Sequence, residues 1–287
     1  MILKLSDENE IRSFLEREGF TFKKKLGQNF LVDGTVAPRM AAAAADENTG
    51  VIEIGPGAGV LTRELSYVAK RVVAIEIDEK LRPILEKTLG DRKNAEVIFA
   101  DVLKTDLRAV INGRLLDCEK ITVCANLPYY ITSPVILKLL RENLPVKSIT
   151  VMVQKEAADR ICAPVGSRSA GAITAVINYY AEARPLFFVP KTAFLPEPKV
   201  DSEVITLNLR KEPPVKVADE EFFFKVVNAC FMLRRKTAVN SVSSALSLDK
   251  ETVKAALLKI GADENARGET FSMDVLAKLS EELRYGK

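Results

Sequence analysis

Residues 51–59 read Val51-Ile52-Glu53-Ile54-Gly55-Pro56-Gly57-Ala58-Gly59, a short apolar run that ends in three alternating glycines. The run predicts a buried β-strand, and the glycines predict a tight turn into a helix that ends near residue 68. Glycines at such a turn let the backbone approach a ligand and direct helix amide groups towards it. The spacing is not the dinucleotide fingerprint G-x-G-x-x-G, because Val60 stands where its last glycine or alanine is needed.

Apolar runs of the same kind recur along the chain, and helical patterns separate most of them. Further strands are predicted over residues 71–78, 95–101, 121–126 and 148–154. Buried strands that alternate with helices are typical of a doubly wound α/β sheet with mainly parallel strands. Two later runs, 184–189 and 200–210, have no helix between them and predict an antiparallel hairpin at the edge of the sheet.

Two helices are expected before the first strand of that sheet. Residues 7–18 place Ile11, Phe14 and Leu15 on one helical face. A second helix is predicted after Asp33, and Pro38 within it predicts a late start or a kink.

Lys211-Glu212-Pro213-Pro214 is the predicted domain boundary. Beyond it the pattern is helical, with helices expected over residues 220–233, 236–246, 249–260 and 272–284. The sequence therefore predicts a Rossmann-like α/β domain over residues 1–210, followed by a smaller all-α domain over residues 211–287.

Histidine is absent from this chain of 287 residues. Its absence excludes a Ser-His-Asp or Cys-His nucleophilic site, a His-ligated zinc ion and general-base catalysis by imidazole. Group transfer from an activated cofactor needs neither imidazole nor a transition metal, so no metal site is predicted. The formal net charge of +3 is too small to indicate a nucleic-acid partner by itself, and only clusters of basic residues could do so.

The composition also bears on the cellular compartment. No apolar run approaches the ~20 residues that a membrane-spanning helix needs, and the opening residues are not those of a signal peptide. The four cysteines are scattered without a C-x-x-C pair, as in reduced proteins. These features predict a cytoplasmic protein without a membrane partner.

Two acidic residues follow at the ends of the next predicted strands. Glu76 lies 21 residues beyond Gly55, where a carboxylate can accept both hydroxyls of a ribose. Asp101 ends the following strand and can reach the adenine of the same nucleoside. Either acid alone would be interpreted as a solvent-facing residue in a turn. Successive strand ends that carry the glycine turn and both acids favour a nucleoside cofactor.

Asn126-Leu127-Pro128-Tyr129-Tyr130 leaves the predicted strand 121–126. An adenine amine is a poor nucleophile, because its lone pair is delocalised into the ring. If the Asn126 side-chain oxygen and the Leu127 carbonyl accept its two protons, the lone pair can point at an electrophilic methyl group. Pro128 would stiffen the turn, and Tyr129 would offer a face for the base to stack on. The competing interpretation is a plain turn with a buried aromatic residue.

Four segments together resemble the ribosomal RNA adenine dimethyltransferase family, which uses S-adenosylmethionine. They are the Gly55 turn, the Asn126 turn, and the segments Phe22-Lys23-Lys24-Lys25-Leu26-Gly27-Gln28-Asn29-Phe30-Leu31 and Phe194-Leu195-Pro196-Glu197-Pro198-Lys199-Val200-Asp201-Ser202. The resemblance spans nearly the whole chain, including Arg234-Arg235-Lys236.

The resemblance implies a role for individual residues. Asn126 and Leu127 would present the target amine, Tyr129 would lie against one face of the base, and Phe194 would close the other face. The implied cofactor-binding residues are Gln28, Asn29, Leu31, Gly55, Gly57, Glu76, Ile77, Asp101, Val102 and Asn126.

Two basic triplets remain, Lys23-Lys24-Lys25 and Arg234-Arg235-Lys236. An isolated triplet is usually a solvated surface. Mainly because of the family resemblance, both are predicted to contact RNA phosphates, which position an enzyme without reading sequence.

The resemblance implies dimethylation of two adjacent adenosines in a hairpin near the 3′ end of small-subunit (16S) ribosomal RNA. The expected partner is the immature 30S particle, and the protein is expected to act as a monomer. Three alternatives stay open: the antibiotic-resistance branch that modifies large-subunit RNA, a structural ribosome assembly factor, and a nicotinamide dehydrogenase. Val60 and the segment Asn126-Leu127-Pro128-Tyr129 are evidence against the dehydrogenase.

Overall fold

The computed structural model describes residues 8–20 and 28–285. By their contacts, the residues form two compact units. The first comprises the described residues up to 158 together with 184–209, and the second comprises residues 159–183 together with 210–285.

The first unit is built on a central sheet whose strands match the predicted apolar runs. The strands of the chain are β1 (Phe30–Leu31), β2 (Thr49–Ile54), β3 (Arg71–Glu76), β4 (Ala95–Phe99), β5 (Lys120–Asn126), β6 (Val146–Gln154), β7 (Ala181–Val189), β8 (Phe194–Leu195) and β9 (Ser202–Leu209). Seven of them form one sheet in the order β4-β3-β2-β5-β6-β9-β7, and β1 pairs with β8 separately. The five strands from β4 to β6 in that order are parallel, whereas β9 runs antiparallel to β6. The predicted α/β class with a mainly parallel sheet is confirmed.

Helices connect the parallel strands, as parallel pairing requires. Those of the first part of the chain are α1 (Glu8–Arg17), α2 (Val36–Ala44), α3 (Val60–Val68), α4 (Arg82–Leu89), α5 (Leu107–Arg114), α6 (Thr132–Arg141) and α7 (Lys155–Ile161). Pro38 is the third residue of α2 and does not interrupt it. A first-turn residue has no intrahelical acceptor for its N–H, so proline costs little there.

Burial explains why the central strands read as continuous apolar runs. Every residue of β2 is buried, and so is every residue of β3 after Arg71. A strand with helices on both faces of its sheet has no solvent-facing side and therefore does not alternate apolar with polar residues.

Apart from the first residues of β7, the regular secondary structure described in the second unit is helical. Its helices are α8 (Ala172–Tyr180), α9 (Glu220–Met232), α10 (Ala238–Leu246), α11 (Lys250–Lys259) and α12 (Met273–Tyr285). The helix α8 lies before the boundary at residue 211 that the sequence predicts. Its Tyr179 ring lies 5.4 Å from the Phe223 ring and 5.3 Å from the Phe224 ring of α9. This aromatic packing places α8 with the tail helices.

Two further observations on the described residues concern membrane-spanning helices and metal sites. No helix in residues 8–20 and 28–285 is long and apolar enough to cross a membrane. Within the same ranges, no three cysteine or acidic side chains are grouped as the ligands of a metal ion would be.

Gly59 gives a direct test of the turn that begins α3. Its φ of 87° is left-handed, and an added Cβ would lie 2.9 Å from Thr88 Oγ1. We expect Gly59→Ala to lower the free energy of unfolding by about 1–2 kcal/mol from the backbone strain alone. Gly113→Ala is the matched control, because Gly113 lies in α5 with nothing within 4 Å of an added Cβ. Urea denaturation of both variants measures the difference, and equal stabilities would contradict this account of the turn.

Candidate active site

A cavity of about 300 Å³ lies in the first unit, at the carboxyl edge of the parallel strands. Carboxyl ends of parallel strands meet at one edge of a sheet, where ligands of open α/β folds bind. The cavity is lined by every cofactor-binding and catalytic residue that the sequence predicts, namely Gln28, Asn29, Leu31, Gly55, Gly57, Glu76, Ile77, Asp101, Val102, Asn126, Leu127, Tyr129 and Phe194. The sequence placed these residues in six separate segments, and the fold brings all of them to one cavity.

The glycine turn after β2 forms one wall of the cavity. Gly57 has a φ of 58°, and an added Cβ would lie 3.1 Å from the Phe30 ring. The Gly57 N–H donates to Glu76 Oε2 at 3.3 Å. A side chain at residue 57 would therefore strain the backbone and crowd Phe30, so glycine is required for the backbone to line the cavity here.

Glu76, at the end of β3, is held by backbone amides. Its Oε1 accepts the Asp78 N–H at 2.8 Å, in addition to the Gly57 N–H on Oε2. Burial raises the pKa of the Glu76 carboxyl, while these backbone hydrogen bonds act in the opposite direction. Two fixed donors set the direction of the carboxylate without using all of its lone pairs, so it can accept further donors from the cavity.

The rim near Asp101 combines one polar group with exposed apolar side chains. Asp101 follows β4 by two residues, and its Oδ1 accepts the Leu103 N–H at 2.9 Å. Ile77 is 56% exposed and Leu103 is 39% exposed, although both are apolar. Apolar side chains around a carboxylate suit a flat base that has a polar edge.

The segment that begins at Gln28 is attached to the same edge. Gln28 Nε2 donates to Asp78 Oδ2 at 3.1 Å, and the Asp78 carboxylate also accepts the Lys80 N–H. Asn126 Nδ2 points to the Asn29 carbonyl at 3.5 Å, a long hydrogen bond. This contact orients the amide of Asn126 with its NH₂ group towards residue 29.

The turn after β5 carries the predicted catalytic residues. Asn126 ends β5, and Leu127 is buried. The Tyr129 hydroxyl lies 2.9 Å from Ser202 Oγ, at the first residue of β9. Phe194, in β8, is opposite Leu31 of β1 in the two-stranded sheet. Tyr129 and Phe194 thus enter the cavity from two different parts of the chain.

The two basic triplets differ in what the structure describes of them. Lys23, Lys24 and Lys25 lie outside the described residues. Arg234, Arg235 and Lys236 belong to the second unit and are exposed in the turn between α9 and α10. Arg234 donates to the carbonyl of Arg168 at 3.3 Å, which adds an exposed arginine beside the triplet that the sequence pattern did not show.

Glu53 is a cavity residue that the sequence pattern did not predict. It lies in β2, is 1% exposed, and its Oε2 has no hydrogen-bond partner among the described residues. Burial, together with a smaller effect of the nearby Glu76 charge, raises the pKa of the Glu53 carboxyl to about 8, while Thr62 acts in the opposite direction. The available signal was a lone carboxyl inside an otherwise apolar strand, since an acid is almost never fully buried without a reason.

The residues of the cavity fit a nucleoside cofactor. The Glu76 carboxylate provides acceptors for ribose hydroxyls, the glycine turn allows close approach, and the orphaned Glu53 oxygen can accept a buried donor. A volume of about 300 Å³ is at the lower end of the range for small-molecule sites.

Comparisons with known proteins agree with this geometry. The family model described as "Ribosomal RNA adenine dimethylase" matches residues 19–282. "Ribosomal RNA small subunit methyltransferase A" of Bacillus licheniformis is 50% identical over 277 residues, which are 95% of each chain.

Two solved structures are similar over most of this chain. The 23S rRNA methyltransferase ErmE is 29% identical with a TM-score of 0.67, and the match covers 89% of this chain and 100% of that one. A dimethyladenosine transferase from Plasmodium falciparum, 24% identical, has a TM-score of 0.72 over 89% of this chain and 98% of its own, which shows a shared fold.

The sheet, its glycine turn and the cavity at its carboxyl edge define a Rossmann-like methyltransferase domain. Since the family model covers most of the chain and a relative is 50% identical over nearly all of it, the chain belongs to the ribosomal RNA adenine dimethylase family.

Glu53 makes the stability of the protein dependent on pH. The pKa of the Glu53 carboxyl rises from its ordinary value of 4.5 to about 8 in the folded chain, so the folded state holds a proton that the unfolded state releases. The contribution of this proton to the free energy of unfolding is complete below about pH 4.5 and is lost as the pH rises to about 8. Over that range the free energy of unfolding falls by up to about 1.4 kcal/mol per pH unit. Glu53→Gln should remove this contribution. Urea denaturation of both proteins from pH 5 to 8.5 measures the free energy of unfolding. If it varies with pH equally in the two proteins, the raised pKa of Glu53 is contradicted.

Proposed function

We propose that this chain transfers methyl groups from S-adenosylmethionine to the exocyclic amines of two adjacent adenosines. These lie in a hairpin near the 3′ end of small-subunit (16S) ribosomal RNA, and the products are dimethyladenosines. The observation that carries the proposal is the single cavity that joins the carboxylate of Glu76 to the turn of Asn126. A cofactor site and an amine-holding turn are needed together for such a transfer.

The cofactor would be held by residues from three strand ends. The Glu76 carboxylate would accept the ribose hydroxyls, and Asp101 with the Val102 amide would face the adenine. Gln28, Asn29, Leu31, Ile77 and the backbone at Gly55 and Gly57 would line the remainder of the molecule. When bound, S-adenosylmethionine supplies a methyl group activated by its positively charged sulfur.

Asn126 would prepare the amine for transfer. With its NH₂ group towards the Asn29 carbonyl, its Oδ1 is left to accept a proton of the target amine. The Leu127 carbonyl would accept the other proton, so that the nitrogen lone pair is directed at the methyl group. Such catalysis relies on position and on prearranged dipoles, and it needs no histidine.

Tyr129 and Phe194 would hold the two faces of the base. An adenine inside a helix is inaccessible, so the target must be unstacked before it enters the cavity. Stacking on aromatic rings is favourable for any base and compensates for part of the unstacking cost. Dimethylation further requires a cavity that admits the monomethyl product.

The second unit would bind RNA phosphates through Arg234, Arg235 and Lys236, and Lys23, Lys24 and Lys25 would contribute a further contact. We infer that the substrate is the immature 30S particle, that the protein acts as a monomer, and that it does so in the cytoplasm, where small subunits assemble. The similarities favour small-subunit over large-subunit RNA, because the small-subunit methyltransferase A is 50% identical and the 23S rRNA methyltransferase 29%.

Methylation of purified subunits tests the proposal. The protein is incubated with labelled S-adenosylmethionine and with either small or large subunits that lack adenine dimethylation, and the modified nucleosides are mapped by mass spectrometry. We expect two neighbouring dimethyladenosines in small-subunit RNA. Label in large-subunit RNA, or in neither, would refute it.

Asn126→Ala should retain most of its affinity for the cofactor, which many other residues also contact, and lose most methyl transfer. The loss of one prearranged acceptor typically costs on the order of 100-fold in rate. Single-turnover methylation at saturating RNA measures the rate, and calorimetry with S-adenosylhomocysteine measures binding. Asn112→Ala, on the exposed face of α5, is the matched control and should match the unmodified protein. An unaltered rate in Asn126→Ala would remove Asn126 from the mechanism.

Changing Arg234, Arg235 and Lys236 together to Ala should weaken RNA binding and leave cofactor affinity intact. If they neutralise about two to three phosphates, the slope of log affinity against log salt should fall by roughly 0.7–0.9 for each contact. RNA binding across a salt series measures the slope. The control removes three lysines of α11, Lys250, Lys254 and Lys259, and should change it less. Equal slopes for the two triple variants would show that the turn makes no specific phosphate contact.

A further inference from the structure

Ser202 stands behind the tyrosine that lines the cavity. Its Oγ lies 2.9 Å from the Tyr129 hydroxyl, and the residue is fully buried. As the first residue of β9 it pairs with Gln154 of β6, so its position is set by the sheet. The hydrogen bond therefore connects a side chain on a turn to a fixed point of the fold.

Asp201 makes an equivalent connection to the segment of Phe194. Its Oδ1 accepts the Lys191 N–H at 2.9 Å, and its carbonyl accepts the Lys155 N–H at 3.0 Å. Lys191 begins the short 3-10 turn that ends at Ala193, immediately before Phe194. The carboxylate thus fixes the start of the turn from which Phe194 enters the cavity.

The other end of that turn is fixed as well. The Ala193 carbonyl accepts the Val32 N–H at 2.8 Å, and Phe194 pairs with Leu31 in the two-stranded sheet. With Asp201 at its start, the turn has little freedom, because both ends are hydrogen bonded to other elements.

We propose that Asp201 and Ser202 are positioning residues that set the gap between the two aromatic side chains of the base site. Ser202 acts through the hydroxyl of Tyr129, and Asp201 acts through the turn before Phe194. The inference rests on the proposed function, since it assigns the aromatic pair to the target adenine.

The chemistry of the pair supports this role. A tyrosine side chain can turn about its Cα–Cβ and Cβ–Cγ bonds. A hydrogen bond to the hydroxyl holds the far end of the ring in place and so restrains the first rotation, and the preference of the phenolic O–H for the plane of the ring restrains the second. Burial raises the pKa of Tyr129, so the phenol stays protonated and the bond to Ser202 persists at neutral pH. A base stacked on a fixed ring presents its amine to Asn126 at a fixed angle, and an angular error lowers the rate of transfer more than binding.

A double-mutant cycle tests the part of Ser202. Tyr129→Phe and Ser202→Ala remove the same hydrogen bond from its two ends. We expect each to slow single-turnover methylation by a factor of about 2 to 12, the value of one hydrogen bond. The double variant should be no slower than either single variant, because the bond is already lost. The affinity for S-adenosylhomocysteine should not change.

Matched controls separate positioning from a general loss of structure. Tyr67→Phe alters an exposed tyrosine, and Ser243→Ala alters a buried serine of α10, so both should leave the rate unchanged. Tyr129→Phe keeps the ring and is expected to fold even if Ser202→Ala does not. Its thermal unfolding must remain cooperative and lie well above the assay temperature, with kcat lowered and the KM for RNA unchanged.

The role of Asp201 is tested by a second double-mutant cycle. Asp201→Ala should slow transfer in the natural background and have little further effect in Phe194→Leu, because it acts through that side chain. Combined with Tyr129→Phe, it should slow transfer further than either change alone, since Asp201 acts through the turn before Phe194 and not through the Tyr129 hydroxyl. A double variant no slower than Tyr129→Phe would refute this part of the proposal.

The results also distinguish this proposal from the proposed function. If the unmodified protein methylates small-subunit RNA but Tyr129→Phe equals it in kcat, the positioning role is refuted and the activity stands. Additive effects of Tyr129→Phe and Ser202→Ala would refute it as well. If the unmodified protein transfers no methyl group to RNA, the proposed function itself is refuted, whatever the variants show.

Discussion

The parallel pairing of β2 with β3 and β5 is the constraint on which the site depends. Because these strands run in the same direction, their carboxyl ends meet at one edge, and the chain must leave each strand there by a turn. Glu53 and Glu76 reach this edge from β2 and β3, and Asn126 reaches it from β5. Reversal of any of these strands would carry its functional residue to the opposite edge. The left-handed glycines after β2 allow the backbone itself to line the cavity.

The same edge concentrates groups that are costly to bury. Glu53 and Glu76 are both nearly inaccessible, and each has a raised pKa because burial disfavours its charged form. The backbone donors to Glu76 offset part of that cost, whereas Glu53 Oε2 has no partner among the described residues. An unpaired buried polar atom costs free energy, so the Glu53 oxygen in the wall of the cavity is typical of a site shaped for a ligand.

The sequence predicted the features that depend on local pattern. Apolar runs and helical spacing located the sheet, and the glycine turn with its two acids located the cavity edge. Contacts between segments that are far apart in the sequence have no local sequence pattern from which they could be predicted. The sequence predicts one boundary at residue 211, and nothing local to residues 172–180 shows that Tyr179 of α8 packs on Phe223 and Phe224. The bond from Tyr129 to Ser202 joins residues 73 positions apart, and the contact of Arg234 with Arg168 joins residues 66 apart. Glu53 is visible in the sequence as the one carboxyl of an apolar run, but the lack of a partner for its Oε2 depends on the elements around the strand and not on the run itself.

The central claim is that one sheet edge holds the cofactor and delivers it to the turn of Asn126. A crystal structure of the protein with S-adenosylhomocysteine tests this claim most directly. The account predicts both ribose hydroxyls within hydrogen-bonding distance of the Glu76 carboxylate (~2.5–3.0 Å), and the sulfur directed towards Asn126. A nucleoside bound elsewhere, or a sulfur directed away from Asn126 while Glu76 contacts only the protein, would contradict it.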